Sequence, residues 1–160
     1  MNSVQIILAS SSQTRKALMD RLHINYISMV PDIDESPRGE NHADDLAQRL
    51  AFEKARYIAE QNPEAIVIGS DQVAWREGAP DIFIGKPLTT EKAIRQLQAN
   101  SDKIVYFSTA LSVQQLSTGF EQSLVEHYKV KFRKLSQVEI ERYVEIEQPL
   151  HCACLLYTSP

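Results

Sequence analysis

Cysteine is nearly absent: the 160-residue chain has two, Cys152 and Cys154, with one residue between them. A C-x-C pair has poor geometry for a disulfide and, with no second cluster, cannot complete a zinc site. Both are expected to be free thiols, and neither a disulfide scaffold nor a zinc module fits. Glycine and proline are sparse, at 5 and 7 residues, which excludes a fibre and a disordered chain. Long apolar runs are missing too. No segment reaches the roughly 20 apolar residues that cross a bilayer. The opening MNSVQIILASSSQTR has no basic leader before its short apolar stretch, so a cytoplasmic protein with no membrane partner is expected. Nor is charge of one sign gathered in one place. The 21 acidic and 17 basic residues are interspersed, and a net charge of −4 without a basic stripe argues against nucleic acid as the main partner. A small phosphorylated ligand stays compatible, because a few lysines and arginines brought together by folding can hold a triphosphate.

What is present is the composition of an ordinary globular domain, 43% hydrophobic and 24% charged, long enough to bury a core. VQIILA, residues 4–9, is a continuous apolar run of the kind found in a strand buried on both faces. Residues 13–22 have helical spacing, with Ala17, Leu18 and Leu22 as the apolar set. INYISMV reads as a strand ending at Pro31, and the acidic DIDESPRGE as a loop. In residues 43–61, Leu46, Leu50, Ala51, Ala55 and Ile58 recur at three and four, and Asp44 and Asp45 lie where the helix dipole favours them. Pro63 ends that helix. AIVIGSD is an apolar strand followed by small polar residues and a carboxylate, and QVAWREGAPDIFIG reads as two short strands about a turn at 77–80. A helix is predicted from about Thr90, then two β-rich segments, 103–115 and 123–135, paired antiparallel across a turn at 117–119, then a helix capped by Ser136. Alternating strands and helices, with an antiparallel element in the second half, make an α/β fold with a mixed sheet.

Several residues could carry chemistry. Ser10, Ser11 and Ser12 join the first strand to the first helix. Such a junction gathers unpaired N–H groups, the positive end of the helix dipole and hydroxyl donors, a natural seat for phosphate, with Arg15 about one turn in. Equally, Ser11 or Ser12 could do no more than cap the helix. Asp71 follows a buried strand at the position where open α/β sheets place ligands, and could be a general base or a ligand for a hard divalent cation; an Asx-turn or cap is the plainer alternative. Glu35 in the acidic loop could be a second carboxylate or merely solvated. Lys54 stands among apolar neighbours on its helix, either functional or snorkelling. Lys86, between Gly85 and Pro87, has a constrained backbone that suits a phosphate clamp or an ordinary surface turn.

In order along the chain, LASSSQTR, IDE, the lysine of AFEKA, GSDQ, GKP, STA and VKFRKLS-x-x-EI-x-x-Y resemble the Maf-like nucleoside triphosphate pyrophosphatases, over essentially residues 7–153. GSDQ and EQPLHCA are similar to the subfamily acting on 7-methyl-GTP; the subfamily acting on dTTP and UTP has threonine after the aspartate. The resemblance implies a mixed sheet flanked by helices with a nucleotide cleft, like Maf proteins and inosine triphosphatases. It implies Asp71 as the proton acceptor that activates water, and Ser10, Ser11, Ser12, Arg15, Lys54 and Lys86 as substrate-binding residues. Glu35 and Asp71 would serve a divalent cation, Mg²⁺ or Mn²⁺, and Thr14 and Gln72 would bear on base discrimination. Where Thr14 stands, the 7-methyl-GTP subfamily often has an aromatic residue. Alternatives within reach are a dTTP/UTP pyrophosphatase, an enzyme for deaminated purine triphosphates, and a nucleotide-binding regulator of cell division; a homodimer is also admitted. After HCA the family continues differently, whereas this chain reads CLLYTSP, similar to a translated sequencing adaptor. One domain, 1–153, incomplete at its C-terminal side, followed by a non-native tail, 154–160, is therefore expected.

Overall fold

A computed structural model describes residues 4–151; the cysteine pair and the tail 154–160 lie outside them. Strands β1 (Ile6–Ala9), β2 (Ile27–Met29), β3 (Ile66–Arg76), β4 (Ala79–Ile84), β5 (Ile104–Gln115) and β6 (Phe120–Lys131) alternate in the first half with helices α1 (Gln13–Asp20) and α2 (Ala43–Gln61). Helices α3 (Thr90–Asn100) and α4 (Gln137–Glu147) follow β4 and β6. The strands form one sheet in the order β2-β1-β3-β5-β6, with β4 paired to β3. β1 is parallel to both neighbours and β3 antiparallel to β4. Between β5 and β6 lie only the short 3₁₀ turn Leu116–Thr118 and Gly119, whose φ of 69° a side chain rarely adopts. Four residues are too few for a crossover, so this pair is antiparallel. The sheet is mixed, and the fold is α/β as expected.

The described chain divides into two compact units. The first comprises residues 4–40, 44–72 and 109–126. There Ile7 and Ala9 of β1 and Val67 of β3 present one pleated face to Ala55, Ile58 and Ala59 of α2, all essentially solvent-free. The second comprises residues 41–43, 73–108 and 127–151. Ala74, Ile84, Val105 and Phe107 from strands pack with Ala93 and Leu97 of α3 and Ile140 and Val144 of α4. The single tryptophan, Trp75, stacks on Tyr106 at 4.4 Å between ring centroids and donates its indole N–H to Ser108.

The helices 43–61 and 90–100 match the sequence reading, and α4 is capped by Ser136 as expected. Other boundaries differ. α1 stops at Asp20, and its buried residue is Met19, while Leu18 and Leu22 are 54% and 60% exposed. β3 does not end before the carboxylate: it runs on through Asp71 to Arg76, because β4 pairs with its far half after β1 has ended opposite Gly69. β6 starts three residues earlier than predicted and stops at Lys131. Among the described residues no helix is long and apolar enough to cross a membrane.

Candidate active site

The site in the first unit starts from a missing side chain. A Cβ on Gly69 would lie 2.2 Å from the Ala51 carbonyl oxygen and 2.7 Å from the Ala55 nitrogen, so the backbone of α2 rests directly on β3 at this glycine. Residues 51, 55 and 58 therefore form the sheet-facing stripe of α2, and helical geometry puts residue 54 on the same side. Along β3, residues 67, 69 and 71 share the face that looks at the helix. Lys54 and Asp71 are thus aimed at each other by the periods of their own elements.

They meet. Lys54 Nζ donates to Asp71 Oδ1 at 2.7 Å, with the two residues 5% and 8% exposed. A second carboxylate reaches the same nitrogen from the loop: Glu35 Oε1 lies 3.0 Å from it, its side chain 59% exposed. A buried ammonium is costly to desolvate, and two carboxylates at hydrogen-bond distance compensate for it. Lys54 does not snorkel; it bridges an interior and a surface carboxylate.

The serine turn lies beside this group, since β1 and β3 are in register at Ala9 and Gly69 and adjacent strands are about 4.8 Å apart. Ser12 is the N-cap of α1, its Oγ accepting from the Arg15 N–H at 3.4 Å. Buried Ser10 accepts from the Ser12 N–H at 3.1 Å and from Arg15 Nη1 at 3.4 Å, and its carbonyl accepts from the Ser28 hydroxyl. Capping is therefore real here: the Ser12 hydroxyl caps α1, while the Ser10 hydroxyl holds the Ser12 N–H and the Arg15 side chain. Their oxygens act as acceptors in these bonds, so each hydroxyl hydrogen stays available to donate. Ser11 is exposed, as is Thr14 on the first turn of α1. Gln72, the exposed residue after Asp71, donates from Nε2 to Thr109 Oγ1 at 2.8 Å. Lys86 belongs to the second unit; it is exposed between Gly85, whose carbonyl accepts from Gln96, and buried Pro87.

Sequence reasoning missed Arg49. Its guanidinium donates to Glu40, to Glu53 Oε2 at 3.1 Å and to the Ser36 carbonyl at 2.8 Å. Arg38 adds a 2.6 Å pair with Glu53. The hydrogen bond from Arg49 is the main cause holding the Glu40 carboxyl below its usual range. Burial would lower the Arg49 guanidinium, but the bonds and charges of Glu40 and Glu53 raise it on balance. Hydrogen bonding by Ser36, then the nearby Arg38 and Arg49 charges, lowers Asp34. The one sequence signal was the Arg49 and Glu53 spacing, common on any helix.

No group of three or more histidine, cysteine or acidic residues is placed to cage a metal among the described residues. Glu35 and Asp71 converge on the Lys54 ammonium, which occupies the point between them; the carboxylate oxygens that Lys54 does not engage are hard donors of the kind Mg²⁺ takes, with phosphate oxygens and water completing its shell. Chemically, the arrangement offers a buried carboxylate, a buried cation beside it, and a hydroxyl-rich turn with an arginine.

Residues 5–156 match the family model described as Maf-like protein. The chain is 66% identical over 152 residues to a protein of Acinetobacter baylyi named nucleoside triphosphate pyrophosphatase, covering 95% of this chain and 77% of that one. It is 45% identical over 148 residues to a protein of Alcanivorax borkumensis named 7-methyl-GTP pyrophosphatase, covering 92% and 74%. Among solved structures, protein VC0702 of Vibrio cholerae aligns with a TM-score of 0.43 at 11% identity over 89% of this chain and 70% of that one, too slight a likeness to carry an argument.

Proposed function

This chain belongs to the Maf-like protein family, and from that premise we propose that it is a nucleoside triphosphate pyrophosphatase. It cleaves the α–β phosphoanhydride bond to release a nucleoside monophosphate and pyrophosphate, with 7-methyl-GTP as its preferred substrate. The observation that carries the reading is the buried Lys54–Asp71 pair at 2.7 Å, beside the serine turn. A carboxylate sits in the interior, inside an otherwise apolar helix–sheet contact, where stability alone would favour apolar residues. The 66% identical relative supports the reaction, and the 45% identical one supports the methylated base.

In this mechanism water attacks the α-phosphorus, and its proton passes to Asp71. The α–β bridging oxygen leaves with the bond's electron pair as part of pyrophosphate. Lys54 engages Asp71 Oδ1 and so fixes the orientation of the carboxylate; its other oxygen takes the proton. Arg15, tethered to Ser10, and the hydroxyls of Ser10, Ser11 and Ser12 hold phosphate oxygens and offset the charge that builds on the leaving group. Glu35 and Asp71 would hold Mg²⁺ or Mn²⁺ together with the phosphates, and the cation would supply neutralisation of charge on the phosphate oxygens. Gln72 has both a donor and an acceptor to offer a base edge, and Thr109 orients its amide.

A panel of 7-methyl-GTP, GTP, UTP and dTTP, compared by pyrophosphate release with Mg²⁺ present, tests the reading. We expect 7-methyl-GTP to have the highest kcat/KM, and Asp71→Asn to lower kcat by a factor on the order of 10² or more. Turnover near wild type in Asp71→Asn would sink the assignment of the base. UTP or dTTP as the best substrate would move the chain to the other subfamily, with Thr14 as the first residue to exchange.

A further inference from the structure

Glu35 presents a problem of placement. Residues 30–42 contain neither helix nor strand, and the Glu35 side chain is 59% exposed, so burial does not locate it. Its partner Lys54 is fixed and buried on α2, but an ion pair whose carboxylate is mostly in solvent holds a loop only weakly by itself. Something else must set the backbone next to it.

We propose that Arg49 is a positioning residue, whose guanidinium clamps the 34–40 segment onto α2 and thereby sets Glu35 against Lys54. This rests on the pyrophosphatase reading and names the residue that places one of its carboxylates. All three guanidinium nitrogens of Arg49 take part in the clamp. Nη2 donates to the Ser36 carbonyl at 2.8 Å, one residue beyond Glu35; Nε donates to Glu40, at the end of the segment; and Nη1 donates to Glu53, one helical turn further on. The segment answers with its own ties. The Arg38 N–H donates to the same Glu40 carboxylate, Arg38 Nη1 to Glu53, and the Ser36 N–H to Asp34. α2 thus presents Lys54 to the Glu35 carboxylate and Arg49 to the peptide beside it, so one rigid helix defines both ends of the contact. The Arg49 side chain is only 19% exposed, so its bonds to Glu40 and Glu53 are partly shielded from competing water, while the one to Ser36 lies at the surface. A lysine would keep the charge but cannot direct three donors in a planar fork.

The test combines a double-mutant cycle with amide hydrogen exchange on the full chain. Arg49→Lys should lower kcat/KM about tenfold in the wild-type background but less than about twofold in a Glu35→Gln background, because a residue that acts through Glu35 has nothing left to place once that carboxylate is gone. In the same variant the Ser36 and Arg38 amides should exchange on the order of tenfold faster, while core amides such as those of Ile58 and Val67 change little. If Arg49→Lys does not fold, Glu40→Gln removes one charged partner and should show the same pattern with a smaller amplitude. An equal loss of activity in both backgrounds, or unchanged exchange at Ser36 and Arg38, overturns the proposal. A wild-type protein that releases no pyrophosphate from any nucleotide overturns the pyrophosphatase reading instead, and the exchange arm then decides the clamp by itself.

Discussion

Lys54 is the residue on which the first unit's chemistry and stability meet. Removing it strands Asp71 as an unpaired buried carboxylate, so Lys54→Met should cost about 3 kcal/mol in urea unfolding. The double variant Lys54→Met/Asp71→Asn should recover a good part of that loss, because its interior then holds no lone charge. A double variant as unstable as the single one would mean that packing, and not charge, is what Lys54 supplies. The oddity of Lys54 was legible in the sequence, since a charged residue broke an apolar period at i+3 and i+4. The position of Asp71 is legible only in part: the sequence suggests a strand that ends before it, whereas it lies within β3. Glu35 could not be placed at all from its neighbours, because an acidic loop has no period from which to read a direction. Arg49 escaped notice for a related reason. Two of its bonds, to Ser36 and Glu40, span thirteen and nine residues and exist only once the loop has folded back.

Among the elements, α4 carries the clearest local code. Ser136 accepts from the Glu139 N–H, and the Glu139 carboxylate accepts from the Ser136 N–H, a reciprocal capping box that the S-x-x-E spacing announces. The backbone hydrogen bond from Ser136, then its hydroxyl, then Arg133, bring the Glu139 carboxyl down from 4.5 to about 2. A folded value below the unfolded one means that this contribution is fully present above about pH 4.5 and is lost as the pH falls toward about 2. Exchange of the first-turn amides of α4 should therefore accelerate, relative to the rest of the helix, across that window. Ser136→Ala should destabilise the protein by about 1 kcal/mol at neutral pH and flatten this pH dependence. Thermal melts across the window and amide exchange check both. Strand ends were less readable than helix ends because a cap is written locally, whereas a strand stops where its neighbour does. β3 outlasts β1 for that reason, and nothing between Ser70 and Val73 announces it.

For the whole molecule, alternating apolar runs and amphipathic segments were enough to give the α/β class and the mixed sheet. The division into two units was not legible, since each unit collects separate stretches of chain and no composition shift marks a boundary. The two units do not come from two halves of the sequence: β3, β5 and β6 each contribute residues to both. One further consequence concerns which sequences this fold can visit. Every other encoded residue brings the Cβ that Gly69 lacks, and that atom would meet helix backbone, which cannot rotate aside as a side chain can. Gly85, by contrast, has no atom within 4 Å of its would-be Cβ and an ordinary φ. In a saturation library selected only for folded protein, position 85 should accept many residues while position 69 returns glycine alone, whatever the polarity of the substitute; recovery of alanine at 69 would show that α2 can lift off the sheet at modest cost. Neutral drift can then rewrite the surface of α2 freely, but position 69 is a point where ancestry stays fixed until the helix and the strand move apart together.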